Sequence, residues 1–116
     1  MKHKFFEKAR QLSKRSNHRQ HQLACVIVKG NRIVSYGWNQ LKTTPVAKNK
    51  YNMLHAEIHA LIGQSVKGCT AYVYREHRNE TLAMSKPCPS CELALREAGI
   101  KKVYYTKEGG YDSQKF

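Results

Sequence analysis

The sequence predicts one α/β domain in which a mixed sheet lies between two layers of helices. The 116 residues suffice for one hydrophobic core and are too few for two, so residues 1–116 are expected to form a single domain. Helical and β-rich segments follow in the order helix, strand, strand, helix, strand, helix, strand. Strands joined by helical crossovers run parallel, with right-handed connections. We therefore expect an antiparallel opening hairpin and parallel later strands in a three-layer α/β/α fold.

The first half of the chain contains a helix and the hairpin. Apolar residues at helical spacing predict an amphipathic helix over residues 3–15, and the basic stretch "SKRSNHRQHQ" follows as a loop. The unbroken apolar run "LACVIV" is typical of a buried strand. Gly30 and Asn31 supply turn residues that lead into a second strand ending near "GWN".

The second half alternates helices and strands. The polar segment from Gln40 to Asn52 is expected to be a long loop, and "HAEIHALIGQ" a helix. "CTAYVYRE" predicts a strand, "CELALREAG" a helix that ends at Gly99, and "IKKVYYT" a fourth strand. "KEGGYDSQKF" is expected to be a short tail. The fourth strand would then be an open edge for a second copy of the chain to cover, so a homo-oligomer is expected.

The charge of the chain is strongly positive. Lys and Arg number 21 against 8 Asp and Glu, and no acidic residue lies between Glu7 and Glu57. Such a field attracts anionic partners, either a nucleotide or a single-stranded nucleic acid, although a solvated basic face is an equally good explanation. No apolar run approaches the roughly 20 residues of a membrane span, and the start lacks the apolar stretch of a signal peptide. We therefore expect a soluble, cytoplasmic protein with reduced thiols and no membrane partner.

Two short motifs predict a metal site. Cys88 and Cys91 lie at the start of one predicted helix, whose positive terminus favours thiolates, and His55 opens the other. Helix starts meet at the carboxyl edge of parallel strands, where α/β sheets place their sites. One imidazole and two thiolates suit Zn²⁺, and three protein ligands leave a position for water, as in catalytic zinc sites. Glu57, two residues past His55, is placed to exchange a proton with that water.

Two other interpretations of the cysteines stay open on the residues alone. Cys88 and Cys91 could form a redox pair, or a structural zinc could recruit Cys25 or Cys69 as a fourth ligand. Both of the latter cysteines lie in apolar strands, which is typical of small buried hydrophobic residues. His59, one helical turn beyond His55, is expected to pack in the core.

"HAE" at 55–57 together with "PCPSC" at 87–91 resembles the cytidine and deoxycytidylate deaminase superfamily, which includes the tRNA adenosine deaminases. The resemblance covers roughly residues 24–112. It implies a cytidine deaminase-like fold, with His55, Cys88 and Cys91 as zinc ligands and Glu57 as the catalytic acid and base.

The resemblance also implies substrate contacts. Asn39, in "GWN", matches the asparagine that touches substrate in those enzymes, and the backbone amide of Ala56 is expected to hold the base carbonyl. Further candidates come from position alone. Lys42, Lys48 and Lys50 lie in the predicted loop beside the site and are expected to hold phosphate, with plain solvation as the alternative. Tyr111 follows the fourth strand and is expected to approach the site.

The branch of the superfamily sets the expected substrate. "GWNQ" and "HAEI" resemble the tRNA adenosine deaminases, whereas "KYNMLHAE" and "SKPCPSCELALREAGIKKVYY" resemble deoxycytidylate deaminases. Lys86 replaces a glutamate typical of the tRNA enzymes. Relatives usually add a helix and a fifth strand after the fourth strand, so the chain looks truncated there. The favoured function is hydrolysis of deoxycytidylate to deoxyuridylate and ammonia. The alternatives are editing of cytosine or adenine in single-stranded DNA or RNA, and nucleic-acid binding around a structural zinc.

Overall fold

A five-stranded mixed sheet is the centre of the computed structural model, which describes residues 2–16, 22–41, 53–61, 63, 65–77 and 79–116. Its elements are α1 (His3–Ser13), β1 (Gln22–Lys29), β2 (Arg32–Trp38), β3 (Gln40–Leu41), β4 (Met53–Leu54), α2 (Ala56–Leu61), β5 (Thr70–Glu76), α3 (Pro89–Glu97), β6 (Lys102–Lys107) and β7 (Gly110–Lys115). Within the described ranges, no helix combines the length and the apolar character needed to cross a membrane.

The strand order is β2-β1-β5-β6-β7. β1 is antiparallel to both β2 and β5, and β6 is parallel to β5. β2, β5 and β6 therefore share one direction, and α2 and α3 each lie in a connection between strands of that direction. The expected mixed sheet is confirmed: an antiparallel hairpin comes first, and helical crossovers join strands of like direction.

The two faces of the sheet build two separate hydrophobic clusters. Alternate residues of β1 point to opposite faces, so Cys25 and Ile27 pack towards α2 and α3 whereas Val26 and Val28 pack towards α1. On the second face α1 buries Phe5, Phe6, Ala9 and Leu12. Each large apolar side chain buried in this way contributes about 1.5–3 kcal/mol to stability. The three-layer arrangement predicted from the sequence is confirmed.

The end of the chain differs from the expected tail. Gly110–Lys115 forms β7, an antiparallel partner that covers the whole of β6. Glu108 and Gly109 make the turn, and Gly109 adopts a φ of 78°, which glycine adopts without strain. The prediction of a tail beside an open fourth strand was therefore wrong. The strand is largely polar and short, so apolar periodicity gave no signal for it.

The segment expected to be a loop after Trp38 also contains a short pairing. Gln40–Leu41 and Met53–Leu54 form a two-stranded antiparallel ladder apart from the main sheet. Residues 42–52 between them lie outside the described part of the chain. The ladder leads directly into His55 and the start of α2.

Candidate metal centre and substrate cavity

Helix α2 lies directly on β2 at Gly37. A Cβ atom at that position would lie 2.5 Å from the backbone nitrogen of Ala60 and 2.7 Å from the carbonyl oxygen of Ala56. Only glycine permits so close an approach of helix and strand. One turn along the helix, Nδ1 of His59 accepts a hydrogen bond of 3.1 Å from the backbone N–H of Trp38. His59 therefore joins α2 to β2 through Trp38. It is only partly buried and belongs to neither hydrophobic cluster, so it does not occupy the expected core position.

The two cysteines sit on the first turn of α3. Cys88 is the extended N-cap residue, with φ −66° and ψ 163°, and Pro89 follows it at the first helical position. Proline is favoured there because its missing N–H has no intrahelical partner at that position. Cys91 lies almost one turn further on and is buried. The Cys-Pro-Ser-Cys sequence thus starts the helix and turns both sulfurs to one side of it.

His55, Cys88 and Cys91 form a cluster of three metal donors. Nδ1 of His55 lies 3.3 Å from Sγ of Cys91 and 4.0 Å from Sγ of Cys88, and the three donor atoms all lie within 4.8 Å of one another. Tetrahedral zinc with bonds of about 2.0–2.3 Å requires ligand atoms about 3.5 Å apart. The donor types and their spacing therefore fit Zn²⁺.

The remaining cysteines lie outside this cluster. Cys25 and Cys69 are fully buried members of the apolar cluster between the sheet and the helices α2 and α3. Neither belongs to the group of donors, so a fourth cysteine ligand has no support among the described residues. A thiol redox pair by itself would not explain the imidazole placed against both sulfurs. The geometry favours a site with three protein ligands, the arrangement of catalytic zinc.

Glu57 is buried beside the metal donors, with 3% of the residue exposed. Burial raises the pKa of its carboxyl, and its own backbone N–H, His55 and a hydrogen bond with Cys91 offset only part of this. Burial also raises the pKa of the Cys91 thiol, and the neighbouring carboxylate of Glu57 adds to the rise. A divalent cation held by the cluster would relieve this accumulation of buried negative charge.

The electrostatics of Cys88 differ from those of Cys91. Its partial burial acts to raise the pKa of the thiol, but hydrogen bonds with the Ser90 hydroxyl and the backbone of Cys91 outweigh that effect, so the net pKa is lowered. Cys88 is therefore the thiol of the pair that more easily becomes a thiolate, the form that binds metal.

A cavity of about 240 Å³ opens beside the donors. Its lining residues are Leu23, Asn39, His55, Ala56, Glu57, Arg75, Met84, Ser85, Lys86 and Cys88. Asn39 is buried, its Oδ1 accepts a hydrogen bond of 2.8 Å from the N–H of Leu23, and its own N–H donates to the carbonyl oxygen of Leu23 at 3.1 Å. These bonds hold the side chain in the wall of the cavity.

Comparison with known families agrees with this geometry. The profile of the cytidine and deoxycytidylate deaminase zinc-binding region matches residues 1–107. The chain belongs to this family. The expected deaminase resemblance is thereby confirmed, and so is zinc as the expected cofactor, because the family region is named for zinc binding. His55, Cys88 and Cys91 form a cluster that could hold the ion.

Individual members of the deaminase family are similar over much of the chain. A diaminohydroxyphosphoribosylamino-pyrimidine deaminase of Buchnera aphidicola subsp. Schizaphis graminum is 39% identical over 83 residues, which cover 70% of this chain and 48% of that protein. The deoxycytidylate deaminase of Pongo abelii is 31% identical over 107 residues, covering 78% of this chain and 54% of that protein. The chain thus spans about half the length of these curated relatives.

Solved deaminase structures have the same fold. The dCMP deaminase of cyanophage S-TIM5 in apo form superposes with a TM-score of 0.71 at 27% identity, covering 94% of this chain and 87% of that one. The same phage enzyme in complex with dCMP and dUMP superposes with a TM-score of 0.67 at 27% identity, covering 90% and 82%. The α/β/α fold expected from the sequence is therefore confirmed by structural neighbours as well as by topology.

Some of the expected site residues meet in the structure and others do not. Asn39, Ala56 and Glu57 share the cavity with two of the metal donors. Lys42, Lys48 and Lys50 lie outside the described residues. Tyr111 is not among the residues that line the cavity. It packs on the α1 face, with ring centroids 4.6 Å from Phe6 and 5.4 Å from His3, because β7 places it on the opposite side of the sheet.

Arg75 and Lys86 line the cavity but were not among the expected site residues. A signal for each was present in the sequence. Arg75 is near the carboxyl end of a strand that leads to the site, and Lys86 directly precedes the Pro-Cys motif. In open α/β sheets, polar residues at such strand ends are candidates for ligand contacts.

Proposed function

We propose that this protein is a zinc-dependent hydrolytic deaminase of a cytosine mononucleotide, converting a substrate of the deoxycytidylate type to its uracil product and ammonia. The observation that carries the proposal is that the buried carboxyl of Glu57 shares one cavity wall with His55 and Cys88, two of the three clustered metal donors. A structural zinc site would need no buried acid beside it.

The chain's own residues have distinct tasks in this reaction. Zinc held by His55, Cys88 and Cys91 would supply a water that is acidic enough to attack near neutral pH. Glu57 takes a proton from the attacking water and delivers it to the ring nitrogen next to the amino-bearing carbon. It then takes the remaining proton of the added hydroxyl and passes it to the amino group, which leaves as ammonia as the carbon–nitrogen bond breaks and the carbonyl forms. A raised pKa suits a carboxyl that must both gain and lose a proton near neutrality.

Residues that line the same cavity are proposed to orient the substrate. The backbone N–H of Ala56, at the start of α2, is proposed to hold the base carbonyl. The Asn39 side chain, fixed through its Oδ1, is proposed to offer its NH₂ donors to the sugar or the base. Both residues line the cavity that contains Glu57, so one bound nucleotide can touch all three.

The names of the relatives support a phosphorylated pyrimidine as substrate. Relatives are called deoxycytidylate deaminase, and one phage structure holds dCMP and dUMP. Another relative is named for a pyrimidine that carries a phosphoribosylamino group. These substrates share a pyrimidine amino group and a sugar phosphate, which is the class we propose for this chain.

A nucleic-acid substrate is the second candidate, and the net charge of +13 favours it. Lys42, Lys48 and Lys50 remain candidates for contact with a substrate phosphate, with plain solvation as the alternative. A cytoplasmic location is part of the proposal, because a site that uses two thiolates needs reducing surroundings. A homo-oligomer also remains a prediction, although β7 removes the open β6 edge on which that prediction depended.

The test is deamination of a mixed panel by zinc-loaded protein, with Glu57→Ala as the blank. The panel holds deoxycytidylate, cytidine, adenosine, single-stranded DNA and tRNA. Mass spectrometry follows the gain of about one mass unit that replacement of an amino group by oxygen produces. We expect deoxycytidylate to shift. A shift confined to DNA or tRNA would establish the second candidate instead, and no shift in any pool with zinc confirmed in the protein would contradict the proposal.

A further inference from the structure

We infer that Arg75 and Lys86 form the phosphate-recognising wall of the cavity and select a substrate with a terminal phosphomonoester. This inference rests on the proposed nucleotide deaminase function and names the part of the substrate that the site distinguishes. It assigns the specificity to Arg75, near the end of β5, and to the segment before the Pro-Cys motif, which we call the return segment and define as residues 79–86.

The two cations share one cavity with the reaction centre. Of the described lining residues, Arg75 and Lys86 carry the guanidinium and ammonium groups, and Glu57 is the one carboxyl group. The Lys86 side chain is exposed to solvent, whereas the Arg75 side chain is half-buried. No ion pair of the described residues involves Lys86, so its charge is not already neutralised by a neighbouring carboxylate.

Arg75 is held in place by the return segment itself. Its Nη1 donates a hydrogen bond of 3.3 Å to the carbonyl oxygen of Met84, and its backbone carbonyl accepts one of 3.0 Å from the N–H of Ala83. The chain therefore folds back on the end of β5 so that residues 83–86 run beside Arg75. Guanidinium and ammonium groups are brought to the same cavity although eleven positions separate them in the sequence.

A buried hydroxyl pair fixes the return segment against the sheet. The Ser85 hydroxyl donates a hydrogen bond of 2.8 Å to the carbonyl oxygen of Val73. It also accepts a hydrogen bond of 2.8 Å from the N–H of Thr106. The Thr106 hydroxyl donates a hydrogen bond of 2.7 Å to the carbonyl oxygen of Ala83 and accepts one of 3.1 Å from the backbone N–H of Arg75. Ser85 directly precedes Lys86, so the same network positions both cations. Such satisfied buried networks are rigid and hold their members in one geometry.

The charge of the wall matches a phosphomonoester better than a phosphodiester. A monoester carries about 1.5 to 2 negative charges near pH 7, which two cations balance, whereas a backbone diester carries a single charge. Arg75 can donate charge-assisted hydrogen bonds to the phosphate from its guanidinium group, and Lys86 adds a point charge on a flexible stem. We therefore expect discrimination between nucleotide and nucleoside to reside in these two residues.

The experiment measures binding, so that it does not depend on turnover. Dissociation constants of deoxyuridylate and deoxyuridine are determined by calorimetry on zinc-loaded wild type, Arg75→Gln, Lys86→Gln and the double variant. Loss of one charged hydrogen bond corresponds to about 10- to 100-fold in affinity. We expect each single variant to lose that much affinity for deoxyuridylate while deoxyuridine binding stays unchanged. Lys29→Gln is the matched control, because it removes the same charge from the far end of β1 and should bind like wild type.

Arg75→Lys separates charge from architecture. It keeps the positive charge but loses the fork that reaches Met84, so recovery of most of the nucleotide affinity would assign the effect to charge. An equal loss of deoxyuridine affinity in Arg75→Gln and Lys86→Gln would assign both residues a purely structural role and overturn the inference. Unchanged deoxyuridylate affinity in the double variant would overturn it directly.

Two further ligands keep this inference distinguishable from the proposed function. Deoxyribose 5-phosphate carries the phosphate without a base, so its binding should depend on Arg75 and Lys86 even if no cytosine compound is deaminated. If deoxycytidine and deoxycytidylate are deaminated equally well and neither variant alters the ratio of the two rates, the deaminase proposal is supported and the phosphate inference is contradicted. An oligonucleotide without terminal phosphate should bind the double variant as well as it binds wild type. If the double variant instead loses as much affinity for the oligonucleotide as for deoxyuridylate, Arg75 and Lys86 bind phosphodiesters, which contradicts the inference.

Discussion

Glu57 on α2 and Glu76 on β5 are both buried, but their surroundings differ. The exposed fraction is 3% for Glu57 and 5% for Glu76. Glu76 receives a hydrogen bond of 2.9 Å from the Tyr74 hydroxyl, lies 3.4 Å from Nε of Arg10 and pairs with Lys14, so two cations and a hydroxyl surround it. None of the ion pairs among the described residues includes Glu57, and burial raises the pKa of its carboxyl.

The contrast shows how one side-chain type serves two purposes. A carboxylate held by two cations and a hydroxyl anchors α1 to the sheet. A buried carboxyl without such compensation is poised to exchange a proton, and groups of this kind cluster at functional sites. Burial alone therefore does not mark a candidate catalytic acid, whereas burial without a compensating cation does mark one.

The largest expected effect is that of Glu57→Gln on the proposed reaction. The amide keeps the shape of the side chain but cannot carry protons, so the rate on the active substrate should fall about 10²–10⁴-fold. Zinc content, measured by atomic emission, should equal that of wild type. A variant that retained most of its rate would show that another group moves the proton.

Gly37→Ala tests the support of Glu57 without touching Glu76. The added methyl would lie 2.5–2.8 Å from atoms of α2 and push that helix off the sheet. We expect the free energy of unfolding to fall by about 1–3 kcal/mol and the deamination rate to fall with it. Gly110→Ala is the control, since nothing lies within 4 Å of its new Cβ. Equal urea midpoints for the two variants would contradict the close contact between α2 and β2.

Glu76→Gln should have the opposite profile to Glu57→Gln. Breaking the anchor leaves Arg10 and Lys14, which are partly exposed and can rehydrate, so the expected loss is about 1–2 kcal/mol in the free energy of unfolding. The deamination rate of the folded enzyme should not change. Glu80→Gln, which removes an exposed carboxylate 3.8 Å from Arg10, serves as the control and should leave stability near the wild-type value. A loss of rate in Glu76→Gln at full stability would break the distinction between the two glutamates.

The smallest expected effect is the pH dependence of stability in zinc-free protein. The pKa of Glu57 is raised in the folded chain from its ordinary value of 4.5, so folding favours the protonated form. Its contribution to stability is fully present below the unfolded pKa and is lost as the pH rises through the folded pKa. Urea midpoints of zinc-free Glu57→Gln relative to wild type should therefore increase as the pH rises above 4.5. A pH-independent difference would contradict the raised pKa.

Local sequence determined the helices, the hairpin and the metal donors. The amphipathic period of α1, the turn at Gly30 and the glycine that ends α3 each act over a few residues, so they could be predicted correctly. The donors were predictable for the same reason. His55 and the cysteines occupy the first positions of two helices, and helix starts at the carboxyl ends of strands meet at one edge of the sheet.

Tertiary structure alone decided β7, the anchor of Glu76 and the return segment. β7 is polar and gains its place by backbone pairing with β6, which leaves no apolar period in the sequence. Lys14 and Glu76 are 62 positions apart, and the hydroxyls of Ser85 and Thr106 are 21 apart. Partners at such distances leave no local pattern, because each residue alone is compatible with many surroundings. Only the packing of α1, the sheet and the return segment selects the pairs that form.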